Sequence, residues 1–412
     1  MNGVGNSPKP SCAVARPAVP SPPYTVRHTV DSHHKFMEPR TQGLPTRILL
    51  FVAVIQSILF ATHWFVYETW TAFRGAPVGS GFSNLQVVLA VLSISFVVAT
   101  LFSFRYSNLG VRLLYTAAAV WMGLFNFFFL SACLCWVVYA GGRILGLGIS
   151  SPLLVVSLFG VAALTGFYGV INARWLRVKT ISVKLPNLPE SWRGRTAALV
   201  TDVHLGPVHG AGFMRRIVGK LSALKPDVVF VAGDLFDGSK ADPNAVLAPW
   251  KQFTSPLGTY FVTGNHEEFS NPGAYLQAVS AAGMRVLKGE KVLLDGMQIV
   301  GVYDHDLANA ERLRGILQSV ALDRSKPSIL LAHTPSRLAI AEEAGISLQL
   351  SGHTHRGQLF PFTWLTRRIF GDYTYGLQRF GKLMAYTSSG AGTWGPPLRV
   401  GTQPELVLIR FE

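Results

Sequence analysis

The 412-residue sequence predicts an α-helical membrane domain followed by an α/β domain. Four apolar runs without a charged residue occupy the first half of the chain. After Arg174, short apolar segments alternate with helix-like ones, which is typical of α/β domains. Several of the short segments run directly into Asp, Asn or His. The three observations predict the membrane domain, the α/β domain and a site at the ends of its strands.

Charged residues are distributed unevenly along the chain. Residues 1–179 contain 13 Lys and Arg but 3 Asp and Glu, whereas residues 180–412 contain 24 and 19. Most of the net charge of +15 therefore accompanies the apolar half, where basic residues flank membrane spans. A nucleic-acid-binding surface would cluster basic residues on the folded domain. We therefore expect membrane lipids, and not nucleic acid, as partners.

The cysteines and prolines define two further features. None of the three cysteines follows Cys135, so the second half of the chain can form neither a disulfide nor a thiolate metal site. Residues 1–45 contain eight prolines and almost no apolar periodicity. We predict a disordered, basic, proline-rich tail there.

The membrane domain is predicted at residues 46–174. At about 1.5 Å per residue, roughly 20 residues cross the 30 Å core of a bilayer, and each run is about that long or longer. Gln56, His63 and Asn126 lie within the runs and would mark either a transport pathway or, as such single residues more often do, helix–helix contacts. The runs are Ile48–Tyr67, Leu85–Phe104, Leu113–Tyr139 and Leu153–Ile171.

Basic residues predict the orientation of these spans. Four spans place both chain ends on one side, and the positive-inside rule assigns that side to the cytoplasm. We therefore expect an inner-membrane, multi-pass protein with a cytoplasmic catalytic domain. The loops on the other side contain only Arg74 and Arg143. The cytoplasmic set is Lys9, Arg16, Arg27, Lys35, Arg40, Arg47, Arg105, Arg112, Arg174, Arg177, Lys179 and Lys184.

The α/β domain is predicted at residues 193–412, after a linker at 175–192. Helix-like stretches separate its short apolar strands, and Lys225-Pro226-Asp227 ends one of the helices. The expected helices include Phe213–Leu224, Pro243–Phe253 and Ser336–Ala344. The expected strands are Thr196–Val200, Val228–Val231, Thr259–Val262, Gln298–Val302, Ser328–Leu331 and Leu383–Tyr386.

Polar residues follow five apolar segments in order, usually beside a glycine. Ligands in open α/β sheets bind at the carboxyl ends of strands, so these side chains are expected to share one site. Carboxylate, amide and imidazole donors without thiolates are too many for one ion and suit two divalent cations. The candidate metal ligands are Asp202, His204, Asp234, Asn265, His333, His353 and His355.

These motifs resemble the calcineurin-like metallophosphoesterase family, over about residues 193–412. They are Asp-x-His at 202, Gly-Asp-x-x-Asp at 233, Gly-Asn-His-Glu at 264, the lone His333 and Gly-His-x-His at 352. Together with the preceding apolar runs, the segments GHTHRGQ and SSGAGTWGPPLRVGTQPE resemble the membrane-linked bacterial branch. The resemblance implies a two-sheet β-sandwich flanked by helices, with a dinuclear metal site at strand ends.

The resemblance also implies the role of each residue. Asp234 would bridge two divalent cations, which could be Mn, Fe, Zn, Ni or Co. His266 would contact the phosphate or protonate the leaving group, and Asp237 would orient His266. Asp202, His204 and His355 would complete one metal site, and Asn265, His333 and His353 the other.

The implied reaction is hydrolysis of a phosphodiester or pyrophosphate, lipid- or nucleotide-linked, by a hydroxide that bridges the two ions. The main alternative is a non-catalytic membrane scaffold or sensor that keeps the metal-site fold, and lost ligands would mark it. A transporter would need paired charges within the spans, and a nuclease would need a basic surface on the domain. The sequence does not specify the substrate or the oligomeric state.

Three further features of the sequence bear on the site and its surroundings. Thr201 and Arg356 depart from the residues usual in close relatives, and we expect neither to contact a ligand. Arg356 would be either a phosphate contact or a surface charge. The segment at 360–370 mixes large apolar residues with two arginines, so it would either lie at the bilayer interface or pack on its own domain.

Overall fold

The computed structural model describes residues 46–75, 83–269 and 272–412, so the predicted tail at 1–45 lies outside the described residues. Within these described ranges, four helices are each long and apolar enough to cross a bilayer, as the apolar runs predict. Each extends beyond its charge-free run, because helical hydrogen bonding continues through charged residues that end a hydropathy signal. The helices are α1 (Thr46–Arg74), α2 (Asn84–Arg105), α3 (Leu109–Ile144) and α4 (Ser151–Arg174).

The polar residues inside these helices make contacts between elements. Gln56 of α1 donates to the backbone carbonyl of Ser93 at 3.2 Å, and Trp121 of α3 donates to His63 Nε2 at 3.0 Å. Asn126 of α3 donates to the carbonyl of Phe360, outside the helices, at 2.9 Å. These contacts favour the packing role over a transport pathway.

The second half of the chain forms two six-stranded mixed sheets. The strands of the first sheet, in spatial order, are β1 (Arg177–Val183), β12 (Glu405–Phe411), β2 (Thr196–Val200), β3 (Val228–Ala232), β4 (Thr259–Val262) and β5 (Met284–Val286). In this sheet β1 pairs parallel with β12, β12 pairs antiparallel with β2, and β2 to β5 are parallel.

The strands of the second sheet, in spatial order, are β10 (Gly376–Phe380), β11 (Leu383–Thr387), β9 (Leu348–Ser351), β8 (Ser328–Leu331), β7 (Met297–Gly301) and β6 (Glu290–Leu294). The central strands β11, β9, β8 and β7 are parallel, and one antiparallel strand lies at each edge. Five of the six predicted strands begin at the predicted residue, and two of these, β3 and β11, extend one residue further than predicted. The sixth, β7, lies one residue earlier than predicted.

Three apolar layers hold the domain together. Alternate residues of the two sheets, such as Phe230 and Leu350, pack face to face between them. Helices cover the two outer faces, which gives the predicted sandwich flanked by helices. The helices of this domain are α5 (Ala211–Leu224), α6 (Pro243–Leu247), α7 (Asn265–Phe269), α8 (Pro272–Ala281), α9 (Asp304–Ala308), α10 (Ala310–Ser319), α11 (Leu338–Ala344) and α12 (Phe362–Phe370).

The segment expected to be a linker, residues 175–192, contains β1 in the structure. All seven residues of β1 are in register with β12, from Arg177 opposite Glu405 to Val183 opposite Phe411. Its inward and outward residues alternate at an edge of the sheet, so it lacks the continuous apolar run that identifies the central strands. The last span therefore leads into the first sheet almost directly.

The membrane helices and the sandwich are in direct contact. Asn172 of α4 donates to the carbonyls of Arg399 and Thr402, both at 2.8 Å. Phe127 of α3 and Ala162 of α4 pack with Leu398 in a buried apolar cluster. The loop before β12, which carries Leu398 and Arg399, thus lies against two spans.

Candidate metal centre

All seven predicted ligands follow the carboxyl ends of strands and converge. Asp202 and His204 follow β2, Asp234 follows β3, and Asn265 follows β4. From the second sheet, His333 follows β8, and His353 and His355 follow β9. Six of them fall in groups of three donors whose ligating atoms lie within 4.8 Å of one another, and Asn265 Oδ1 lies 3.0 Å from His353 Nδ1.

The donors form two clusters. In the first, His355 Nε2 lies 2.9 Å from His204 Nε2 and 3.4 Å from Asp202 Oδ1. In the second, His353 Nδ1 lies 3.2 Å from His333 Nε2 and 3.0 Å from Asn265 Oδ1. Each cluster combines imidazole nitrogens with an oxygen donor.

Asp234 connects the two clusters. Its Oδ2 lies 3.1 Å from His333 Nε2 in the second cluster and 3.8 Å from His204 Nε2 in the first. Its Oδ1 accepts the backbone N–H of His266 at 3.0 Å, which fixes the carboxylate plane. One oxygen is therefore held by the main chain while the other faces both clusters.

Burial keeps most of these imidazoles neutral, as ligation requires. It lowers the pKa of His204 and of His355 well below the usual range, and burial beside His333 lowers the pKa of His353 to about 4. His333 differs: although burial opposes its charge, Asp234 raises its pKa well above the usual range. Its Nδ1 donates to the Ala232 carbonyl at 2.8 Å, which leaves Nε2 for a cation.

The backbone at the centre is strained. Asp202, His204, Asp234, His353 and His355 all have a left-handed φ, between 46° and 67°. Such non-glycine conformations cost energy and cluster at functional sites. The adjacent glycine at 352 is required by space, because a Cβ there would collide with the Asp202 carboxylate. The turn at Gly352 lets His353 and His355, which are two residues apart, both face one site.

Glu267 is a site residue for which the sequence predicted no role. It is fully buried, and its carboxylate accepts the backbone N–H groups of Asp234, Phe236 and Gly264 at 2.8 to 2.9 Å. These contacts position the loop that carries Asp234. The sequence feature that could have identified Glu267 is its position as the last residue of the Gly-Asn-His-Glu motif.

Arg399 is a second such residue. Its guanidinium is fully buried and donates to the carbonyls of His355 at 3.1 Å and Gly392 at 2.5 Å. Its Nη2 also lies 3.2 Å from His355 Nδ1. Nothing in the residues next to Arg399 distinguishes it from a surface arginine, because the partner that carries a candidate ligand, His355, lies 44 residues earlier in the chain.

His266 and Asp237 lie together beside the two clusters, as the resemblance implies, but the contact uses the main chain. His266 Nδ1 donates to the backbone carbonyl of Asp237 at 3.0 Å, which leaves Nε2 free to face a substrate. The Asp237 carboxylate instead accepts the N–H of Ser239 at 2.9 Å, and burial raises its pKa to about 6. His266 also belongs to a donor group with His204 and Asp234.

The two departures from the usual motif have different outcomes. Thr201 Oγ1 lies 2.8 Å from Asp202 Oδ2, so the expectation that it contacts no ligand is wrong. The hydroxyl of threonine takes the place that a serine hydroxyl would have. Arg356 is exposed, and its guanidinium lies over the ring of Tyr375 at 4.5 Å. That contact favours the surface-charge alternative.

The residues present fit two divalent cations. The donors are oxygens and imidazole nitrogens in two clusters that share one carboxylate. His204 Nδ1 is buried without a hydrogen-bond partner, so no hydrogen bond at Nδ1 orients this ring. Its position is set by the other donors that lie around its Nε2. Repelling lone pairs packed this closely are stabilised by cations.

Comparisons with known proteins agree with this geometry. The calcineurin-like phosphoesterase profile matches residues 196–357. An uncharacterized metallophosphoesterase of Campylobacter jejuni is 33% identical over 63% of this chain and 68% of its own length. One from Aquifex aeolicus is 30% identical over 61% of this chain and 98% of its own length.

A membrane protein also matches. The transmembrane protein with metallophosphoesterase domain from Danio rerio is 33% identical over 60% of this chain and 60% of its own length. The chain spans 58% of the length of each of two Helicobacter pylori relatives.

Proposed function

The chain belongs to the calcineurin-like phosphoesterase family, and we propose that it is a membrane-anchored two-metal phosphoesterase that hydrolyses a phosphodiester or a pyrophosphate. The observation that carries the proposal is the position of Asp234. One of its oxygens faces both donor clusters, at 3.1 Å from His333 and 3.8 Å from His204. A shared carboxylate is what a pair of adjacent cations requires.

When bound, a pair of divalent cations supplies hydroxide near neutral pH and neutralises charge on the phosphate. Asp202, His204 and His355 would hold one cation, and Asn265, His333 and His353 the other, with Asp234 shared. The Nδ1 proton of His266 is donated to the carbonyl of Asp237, so His266 would carry a second proton, at Nε2, in its charged imidazolium form. From there it would protonate the leaving oxygen or bind the phosphate.

A diester or pyrophosphate suits the surroundings better than a small monoester. A cavity of about 800 Å³ lies beside His204, Asn265 and His266 and extends away from them. That volume falls within the range of sites for drug-sized ligands, about 300–1,000 Å³. It leaves room for substituents on the phosphate that a simple monoester lacks.

The main alternative is a membrane scaffold or sensor that has kept the fold without catalysis. Such a protein would be expected to have lost donors or their positioning contacts. Here all seven donors are present, and Glu267 and Thr201 contact the residues that carry them. This favours the enzyme.

The proposed location is the inner membrane, with the catalytic domain in the cytoplasm. Arg112 donates to the carbonyl of Pro207 at 3.5 Å, and the carbonyl of Arg174 accepts from Arg216 at 3.2 Å, so basic span ends lie on the side of the domain. A reporter fused to Glu412 should be active as a cytoplasmic fluorescent protein and inactive as an exported alkaline phosphatase. The reverse pattern would place the domain outside the cytoplasm.

The experiment that tests the function is a substrate screen on purified, detergent-solubilised protein. Metal-stripped protein and protein loaded with Mn(II) would be compared on phosphomonoesters, cyclic nucleotides, nucleotide-sugar pyrophosphates and phospholipids. The proposal expects Mn(II)-dependent hydrolysis of at least one diester or pyrophosphate. Metal binding without hydrolysis of any class would instead support the scaffold.

A further inference from the structure

Membrane helices form one wall of the cavity beside the candidate metal centre. On the centre's side the cavity is lined by His204, Asn265 and His266. The same cavity is also lined by Phe96, Thr100, Ser103 and Phe104 of α2 and by Tyr115 of α3. The cavity therefore connects the donor clusters to two of the four spans.

The α2 wall extends into the apolar part of that span. Phe96, Thr100 and Phe104 are spaced four residues apart, so they lie on one face of the helix. Phe104 precedes Arg105, the last residue of α2, and Phe96 lies eight residues earlier, about 12 Å along the axis at 1.5 Å per residue. The cavity wall thus runs from the end of the span into the level of the hydrocarbon chains.

Hydrogen bonds fasten these helices to the loops of the metal centre. The carbonyl of Ser103 in α2 accepts the backbone N–H of Lys240, three residues after Asp237, at 3.0 Å. Arg112 of α3 donates to the carbonyl of Pro207, three residues after His204, at 3.5 Å. These two hydrogen bonds therefore hold α2 and α3 beside the loops that follow Asp237 and His204.

Exposed aromatic rings line the mouth of the cavity. Trp394 is 60% exposed and Phe269 is 77% exposed, and each ring centroid lies 6.0 Å from that of His266. Large apolar groups beside a polar centre are unfavourable in water but suit the interface of a bilayer, where aromatic residues concentrate. The exposed aromatic rings beside the cavity are therefore of the kind found at a membrane interface.

We infer that the substrate is an amphiphilic phosphate ester drawn from the bilayer, with its phosphate at the metal centre and a hydrocarbon chain along Phe96, Thr100 and Phe104 of α2. The inference rests on the proposed function and specifies its substrate class. A chain in this position stays on the apolar face of the span while the phosphate reaches the donors. A water-soluble ester would leave the same face uncovered.

The test compares two esters that differ only in the length of one alkyl chain. Full-length protein in lipid nanodiscs with Mn(II) would hydrolyse p-nitrophenyl methyl phosphate and p-nitrophenyl dodecyl phosphate, which share one leaving group. Thr100→Trp fills the proposed chain position. We expect it to lower the ratio of kcat/KM for the dodecyl ester to that for the methyl ester by about tenfold or more, because several methylenes lose their apolar contact.

The matched control is Leu101→Trp, on the next residue of α2, which is 51% exposed and does not line the cavity. It should leave the ratio unchanged, which excludes an effect of bilayer partitioning. Phe96→Ala provides a second variant without added bulk and should lower the ratio in the same direction. An unchanged ratio in both cavity variants, or an equal fall in Leu101→Trp, would overturn the inference. A wild type that hydrolysed neither ester would also overturn the inference. The proposed function itself would fail only if the substrate screen showed no Mn(II)-dependent hydrolysis of any diester or pyrophosphate.

Discussion

Arg399 Nη1 donates a hydrogen bond to the backbone carbonyl of His355 at 3.1 Å, while the Arg399 carbonyl accepts one from Asn172 of α4 at 2.8 Å. One residue thus joins a candidate metal ligand to a membrane span. Burial lowers the pKa of Arg399 to about 10, so the guanidinium stays charged at neutral pH. The position of His355 therefore depends on how the span and the sandwich are docked.

Arg399→Lys should weaken metal binding while the fold survives. Lysine keeps the charge but cannot reproduce the forked contacts of a guanidinium. Loss of a contact that orients a ligand typically costs about 10–100-fold in metal affinity. Titration with Mn(II) measures the change, and Arg410→Lys, at an exposed position of β12, is the matched control. Equal affinities in the two variants would show that Arg399 does not position His355.

His266→Gln should slow turnover while bound metal is retained. A general acid contributes about 10²–10⁴-fold, so the rate should fall by that order for an alkoxide leaving group. The loss should be much smaller for nitrophenol, which leaves without protonation. Equal losses across leaving groups would indicate phosphate binding instead, and loss of bound metal would make His266 a ligand.

Metal binding at neutral pH should release about one proton, because His333 must lose its proton to ligate. Burial opposes the charge of His333, but Asp234 raises its pKa above the usual range. The ion pair between protonated His333 and Asp234 is fully formed below the ordinary imidazole pKa. It is lost as the pH rises through the raised pKa of His333, because the imidazole then gives up its proton. Metal affinity should therefore increase with pH. Calorimetry in buffers of different ionisation enthalpy counts the protons, and equal heats in all buffers would contradict the prediction.

Trp364→Glu should depress turnover of a lipid-linked substrate in vesicles far more than turnover of a soluble ester. No residue of α12 is buried, and Trp364 is 63% exposed, which favours the bilayer-interface alternative for this helix. A carboxylate there would be expelled from the interface. The two rates, measured on one preparation, test this. A uniform loss would indicate misfolding.

The candidate ligands could be predicted from the sequence, but the residues that position them could not. Asp234 and its partners follow apolar strands, and strand ends meet at one edge of a sheet, so order along the chain was enough to bring them together. Glu267, Thr201 and Arg399 act through hydrogen bonds between loops. Such contacts leave no periodic signal in the sequence.

The same reason limits what the sequence reveals about the two domains. Hydropathy predicts the spans because a bilayer imposes a length on them. Hydropathy does not predict which loop residues Asn172 contacts, such as Arg399. It also misses β1, because buried and exposed residues alternate in this edge strand, whereas a central strand is uniformly apolar. The wall that α2 contributes to the cavity follows from that docking and could not be predicted.

The central claim, a shared carboxylate between two cations, is tested most directly by Asp234→Asn. Metal content and hydrolysis of a soluble diester would be measured on wild type and variant, with circular dichroism as the control for folding. The account predicts two ions per chain and metal-dependent hydrolysis in the wild type. In the variant it predicts a folded domain with turnover abolished, because both cations lose the shared charge. A metal-loaded variant with near wild-type turnover would contradict it.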